Sequence, residues 1–196
     1  MEYQQEYRPS NRRKKRRNNS FLKIALSWAI AIAIAIGLQQ FVFQSYQVFG
    51  RSMEPTLSEG DYLIISKVGP SWSSIRGASY QPERGDIVVL EANNTRLIKR
   101  IIGLGGDTVR VAGGELTVTN EENPQGFDPY ENALSTIPTS GDIQVRVPEG
   151  EVFVVGDNRE GGNSLDSRNQ LGTIPVEDII GSLWMRLWPA GSAEIF

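Results

Sequence analysis

The sequence predicts a mainly β fold: a set of coiled antiparallel sheets, closed or nearly closed, behind one N-terminal transmembrane helix. Three observations predict it. Residues 21–43 form one nearly unbroken apolar run. Beyond residue 43 most of the chain consists of short stretches rich in Val and Ile, set off by Gly, Pro, Asn and Asp, which is the pattern of strands and turns. The chain, at 196 residues, is also long enough to bury a real core although it has no cysteine to staple one.

Residues 1–20 carry Arg8, Arg12, Arg13, Lys14, Lys15, Arg16 and Arg17 against Glu2 and Glu6, a net of +5, and their polarity predicts a disordered tail. Between residues 21 and 43 only Lys23, Ser27, Gln39 and Gln40 interrupt the apolar run. A helix of that length covers roughly 34 Å at about 1.5 Å per residue, enough to cross a hydrocarbon core. The basic cluster at 12–17 directly precedes it, so the positive-inside rule puts the N-terminus in the cytoplasm and residues 44–196 on the extracytoplasmic side. Ala31, Ala33 and Ala35 offer the small residues of a cleavable signal. The run is longer than the apolar core of such a signal, however, and no polar segment precedes those alanines, so a retained anchor in the cell membrane is expected.

Strands are expected at 62–68, 86–91, 97–102, 108–112, 115–119, 143–147, 151–155 and 179–187. Gly113-Gly114 fits a two-residue hairpin turn between two of them. Two stretches read as loops. Residues 69–85 carry Trp72 and Tyr80, and residues 120–142 hold Pro124, Gly126, Pro129, Pro138 and Gly141. A loop as long as the second is either functional or mobile.

Composition removes several function classes. Residues 44–196 carry a net charge of −9, which disfavours nucleic acid as a partner. The basic run before the apolar helix reads as a topology signal rather than a nuclear-localisation patch. Histidine and cysteine are both absent, so no Ser-His-Asp triad, Cys-His pair or HExxH zinc site can be built. A hydrolase made from these residues must use a lysine or a carboxylate as base, or a carboxylate-bound metal.

Three segments could carry chemistry. In residues 50–57, GRSMEPTL, Pro55 fixes its own φ and pushes Glu54 toward extended backbone, so Ser52 sits on a stiff non-helical stretch beside Gly50. Such a serine is either a plain loop residue or a nucleophile whose own N–H can help bind an oxyanion. In residues 96–103, RLIKRIIG, a strand puts Leu97, Lys99 and Ile101 on one face and Ile98, Arg100 and Ile102 on the other. A free lysine near pKa 10.4 is neutral only about once in 2,500 at pH 7. Desolvation that lowered this by about two units would leave roughly 4% neutral, enough for a general base. The plainer alternative is an edge-strand lysine that discourages aggregation. Residues 156–168, GDNREGGNSLDSR, are dense in turn formers, and Asp157, Asp166, Arg100, Arg159 and Arg168 could pair to hold such a loop rigid. The alternative there is a solvated turn. A calcium loop is not supported, because the D-x-[DN]-x-[DN]-G spacing is missing.

Taken in order, these segments resemble the type I signal peptidases, the Ser/Lys-dyad serine proteases that cut signal peptides from exported proteins. GRSMEPTL resembles the nucleophile box, GDIVVL at 85–90 the next strand, IKRIIGLGGDTV at 98–109 the lysine box, GDNREGGNSLDSR the last box, and LGTIP at 171–175 the stretch after it. The resemblance implies a signal-peptidase-like coiled antiparallel β-sheet catalytic domain over residues 44–196, with a variable insert at about 108–147. It implies Ser52 as nucleophile, Lys99 as general base, Ser164 orienting Lys99, and the Ser52 backbone N–H as an oxyanion donor. Asp166 would pair with a nearby arginine, Arg168, and Asp157 with Arg100. Met53 would pack against the dyad or face the membrane. The implied substrates are preprotein signal peptides with small residues, Ala-x-Ala, before the cut, met at the lipid bilayer of a plasma or thylakoid membrane close to the export translocon. No metal or organic cofactor is implied. The chain departs from the pattern at three places. Gly50 stands where some members have serine, Gly105 stands where proline is usual, and Glu160-Gly161-Gly162 lengthens the last box before Asn163-Ser164.

Rival readings are a specialised Ser/Lys maturation protease with one substrate, a carboxylate-metal hydrolase, and a membrane-tethered β domain that only binds partners.

Overall fold

The computed structural model describes residues 20–77, 80–130, 133–160, 164–189 and 193–196. The basic tail expected at 1–20 therefore lies, apart from Ser20, outside the described residues, as do Gly161, Gly162 and Asn163. The chain divides into two compact units, with the boundary in sequence between Ile36 and Gly37.

Helix α1 runs Ser20–Phe41. Its apolar side chains, among them Leu22, Ile24, Trp28 and Ile32, are exposed around its circumference. Residues Ser20–Gln39 are long and apolar enough to cross a membrane. The helix stops two residues short of the expected 43, because Phe43 already opens a strand.

The second unit is mainly β. Strands β1 (Phe43–Gln47), β2 (Tyr62–Ser66), β3 (Ile87–Ala92), β4 (Thr95–Leu104), β5 (Thr108–Ala112), β6 (Glu115–Thr119), β7 (Ile143–Arg146), β8 (Glu151–Val155), β9 (Ile174–Pro175), β10 (Ile179–Trp188) and β11 (Glu194–Ile195) succeed one another along the chain. An eight-stranded sheet has the order β1-β2-β10-β3-β4-β8-β9, with β11 added to β10, and a three-stranded sheet has the order β6-β5-β7. All pairs are antiparallel. The larger sheet has two ends, since no pairing among the described residues joins β1 to β9. Of the two arrangements expected, closed or nearly closed, the sheet takes the unclosed one.

Two turns show why the register is fixed. Gly113 and Gly114 have φ of 61° and 89° and join Ala112 to its partner Glu115. That is the positive-φ hairpin expected of Gly-Gly. Between β3 and β4 the same work is done by Asn93 and Asn94, at φ 51° and 58°. Asparagine tolerates this region because its side chain is short and polar.

Strand β3 is buried on both faces, which explains why IVVL shows no alternation. Ile87 and Val89 enter a core with Val48, Met53, Leu57, Leu63 and Ile65. Val88 and Leu90 enter another with Ile101, Val152, Val154 and Ile174. A third core, around Val109, Val118, Val147 and Phe153, lies under the small sheet.

The stretch read as a loop at 69–85 contains helix α2, Val68–Arg76. Pro70 falls in its first turn, where a missing N–H is harmless, and Gly77 closes it at φ 65°, donating to Ser73 O and Ser74 O. The serine-rich sequence hid it. The long stretch 120–142 is tied down by a bridge between Val118 and Phe127, a short 3₁₀ turn at Ala133–Thr136 and the buried Tyr130 and Leu134.

Gly181 on β10 lies against β2 so closely that a Cβ would run into the Ser66 carbonyl oxygen and the Ile65 side chain. Gly181→Ala should lower stability by about 1–3 kcal/mol, because a backbone oxygen in the centre of a sheet cannot yield. A urea melt of the purified domain, with an unchanged midpoint, would contradict that packing.

Candidate active site

Ser52 lies in the tight turn after β1. Glu54 N–H donates to Arg51 O at 3.3 Å, and Leu57 N–H to Met53 O at 2.9 Å. Gly50 takes φ 82° to start the turn, a conformation costly for other residues. Met53, 1% exposed, and Leu57 are driven into the core, which pins the turn. Of the two placements expected for Met53, packing beneath the serine is the one formed.

Lys99 comes from the middle of β4, opposite Val88 of β3. Pairing of β4 with β8 begins only at Arg100, so one side of the strand is open at Lys99, yet the residue is buried rather than a solvated edge lysine. The residue is 2% exposed. Its Nζ lies 2.9 Å from Ser52 Oγ and donates to the carbonyl of Ile98 at 2.8 Å. No carboxylate forms an ion pair with it among the described residues. Burial lowers its pKa to about 8, against the pull of Asp166 and Asp157, while Arg168 works in the same direction as burial. At that value roughly one amine in ten is neutral at pH 7.

The loop after β8 holds the serine from behind. Asn158 N–H donates to Ser52 O at 3.0 Å, and its side-chain amide donates to Arg51 O at 3.0 Å. This approach requires Gly156, where a Cβ would collide with Ser52 O and Ser164 Oγ. Gly156 is held in turn by its own N–H, which donates to Asp166 Oδ2 at 3.1 Å, and by Arg159 Nε, which donates to its carbonyl at 2.8 Å.

Both carboxylates named from the sequence carry a forked arginine. Arg100 donates through Nε to Asp157 Oδ1 at 2.8 Å and through Nη2 to Oδ2 at 2.6 Å. Arg168 does the same on Asp166, at 3.0 and 2.8 Å. Burial by itself would raise the Asp166 carboxyl, but the Arg168 bonds and charge hold it below the ordinary carboxylate range. Arg159 stacks its guanidinium 4.0 Å over the Tyr130 ring.

Ser164 is the exception. It is buried beside Gly156, yet its Oγ has no hydrogen-bond partner among the described residues, so the bond to Lys99 expected from the resemblance is not formed. The amine directs its contacts to Ser52 and Ile98 instead. The Ser164 hydroxyl is near enough to Asp166 to favour its ionised form, but not in hydrogen-bonding geometry. Gly161 and Gly162, whose insertion bears on this position, are among the residues not described. Gly105 has a packing reason to be glycine, since a Cβ there would press on Glu149 and the Pro148 carbonyl.

Ser52 and Lys99 open on a cleft of about 350 Å³. One wall is β1 and the residues after it, including Tyr46, Val48 and Phe49, and the other is Arg96, Leu97 and Ile98 of β4. The Ser52 N–H makes no hydrogen bond among the described residues.

Comparison with known proteins settles the family. The family model described as "Signal peptidase, peptidase S26" matches residues 21–188. The chain belongs to this family. It is a serine peptidase, a hydrolase. The peptidase is 34% identical to signal peptidase I P of Bacillus subtilis subsp. natto, over 85% of this chain and 88% of that one. It is 38% identical to a probable signal peptidase I-2 of Synechocystis sp., over 87% of this chain and 75% of that one. A crystal structure of a signal peptidase I from Enterococcus faecalis is 28% identical and aligns with a TM-score of 0.43 over 54% of this chain and 99% of that one.

In the sequence Gly156 and Asn158 are legible only as members of a turn-rich segment, and the Ile98 carbonyl, being backbone, leaves no sequence signal.

A buried amine with a depressed pKa costs stability wherever it is charged in the fold. Between about pH 8 and 10.5 the unfolded peptidase binds more protons than the folded one, so Lys99 makes stability rise with pH across that window. Lys99→Met should therefore be more stable than wild type at pH 7, by about 1–3 kcal/mol, with the gap closing toward pH 10. Denaturant midpoints measured at several pH values would test this, and a constant gap would count against the buried amine.

Proposed function

We propose that the peptidase is a membrane-anchored endopeptidase that removes N-terminal signal peptides from exported preproteins after small residues, with Ser52 as nucleophile and Lys99 as general base. The observation that carries the reading is the 2.9 Å approach of a buried lysine amine to a serine hydroxyl at the end of a cleft. The names of the relatives supply the substrate class.

The chemistry follows from the geometry. The neutral Lys99 amine accepts the proton of Ser52 Oγ as the oxygen attacks the scissile carbonyl. The oxyanion is met by the unengaged Ser52 N–H. Lys99, now an ammonium still donating to Ile98 O, passes its proton to the leaving amine, and the acyl-enzyme is then hydrolysed by water activated in the same way. Asp157 with Arg100, and Asp166 with Arg168, are positioning pairs: they hold the loop that presents Gly156 and Asn158 to Ser52. Ser164 is assigned to the packing of that loop. The cleft walls, Val48, Met53, Val89 and Ile98, suit short apolar side chains such as alanine.

Helix α1 anchors the enzyme in the plasma or thylakoid membrane, with the basic tail on the cytoplasmic side and the cleft on the other, where preproteins leave the translocon. Several unrelated preproteins are expected to be processed; activity on only one would narrow the enzyme to a specialised maturation protease.

Ser52→Ala and Lys99→Ala should each lower kcat/KM by about 10³-fold or more, with unchanged circular dichroism. In wild type kcat/KM should climb through an apparent pKa near 8. Full processing of a preprotein by either variant would refute the dyad.

A further inference from the structure

Lys99 and Arg96 are the charged residues among those lining the cleft, and no carboxylate lines it. With Lys99 neutral in its working state, Arg96 holds the formal charge there. Its guanidinium lies 5.8 Å from the centre of the Tyr46 ring on the opposite wall, so it is drawn across the cleft mouth. Glu91 sits directly across the ladder from Arg96, but no ion pair joins them among the described residues. Five guanidinium N–H donors are therefore presented at the entrance without a carboxylate acceptor.

The strand places this charge relative to the reaction. Pairing of β4 with β8 begins at Arg100, so the edge of β4 from Thr95 to Lys99 is uncovered on the side away from β3. An extended peptide can add along such an edge. Arg96 is three residues from Lys99, roughly 10 Å at about 3.3 Å per residue, so the substrate residue beside it stands about three positions from the scissile bond.

We propose that Arg96 is a specificity-determining residue, favouring substrates with an acidic side chain, and opposing those with a basic one, about three positions from the cut at a position other than the two small residues. This rests on the Ser52–Lys99 reading of the cleft. An exposed pair of this kind changes rates modestly, so the preference for Glu over Gln should be up to about fivefold, with Lys poorer than Gln by a similar factor.

The test uses the full chain in detergent micelles and quenched peptides with one small-x-small cleavage sequence. Glu, Gln or Lys is placed in turn at each position within four residues of the bond, except the two held small. Wild type should rank Glu above Gln above Lys in kcat/KM at one position about three residues from the cut, and the ranking should flatten in about 0.5 M salt. Arg96→Gln should abolish the preference and Arg96→Glu should invert it, both retaining cleavage of the Gln peptides. An identical ranking in wild type and Arg96→Glu would overturn the proposal while leaving the dyad intact. Failure of wild type to cleave any of the peptides would sink the reading of the cleft itself, and this proposal with it.

Discussion

Everything at the site depends on keeping one amine dry. Lys99 lies on a central strand with Val88 across the ladder, 2% exposed, and its burial outweighs two carboxylates that would otherwise hold it charged. Were Asp157 or Asp166 free to reach the amine, an ion pair would form and the pKa would climb. Each is instead gripped at both oxygens by an arginine, and Arg168 adds a repulsive charge of its own. The forked geometry matters because it engages both oxygens of each carboxylate in two parallel hydrogen bonds.

The same arginines tie the pocket to the fold. Arg100 is the next residue after Lys99 and projects to the other face of β4, where it donates to Asp157 and to Gly85 O. Arg168 reaches Asp166 and also the carbonyls of Ser140 and Arg159. Arg159 in turn caps Tyr130 from the long stretch before β7. The loop behind Ser52 is therefore built from buried charges paired with one another, although Arg159 Nη2 stays 3.9 Å from Asp157 without a hydrogen bond, and such pairing fixes geometry more than it adds stability. Removing one partner of such a pair leaves a buried charge behind, so damage at Asp157 or Asp166 would spread to Ser52 through Gly156 and Asn158.

How much of this could be read from sequence varied with the kind of signal. The strands with Val and Ile at both faces, the Gly-Gly hairpin and the apolar helix were legible because each follows from local chemistry. Strand β1 was not: FQSYQ carries two glutamines and no alternating pattern, and it is a strand because β2 pairs with it. Helix α2 was hidden by serines that favour turns. The two forked ion pairs were legible as residue types that could meet, whereas Ser164 was placed by resemblance alone, and the hydroxyl does not reach the amine. Long-range contacts such as Asn158 to Ser52 leave no mark on either segment taken by itself.

The openness of the large sheet gives the site its shape. Strand β1 is separated from β4 by β2, β10 and β3. Four strand spacings at about 4.8 Å would set them roughly 19 Å apart in a flat sheet. Yet residues 44–49 and 96–99 line one cleft, and Ser52 Oγ stands 2.9 Å from Lys99 Nζ. Only a sheet that coils back toward itself can do this, and register shifts of the kind that bend strands occur where β10 meets β2 and β3. Full closure would have paired β1 with a neighbour and filled the gap. Stopping short leaves residues of β1 and the uncovered start of β4 lining one open cleft. A coiled but unclosed sheet thus brings a serine and a lysine 47 positions apart in sequence together beside an open cleft.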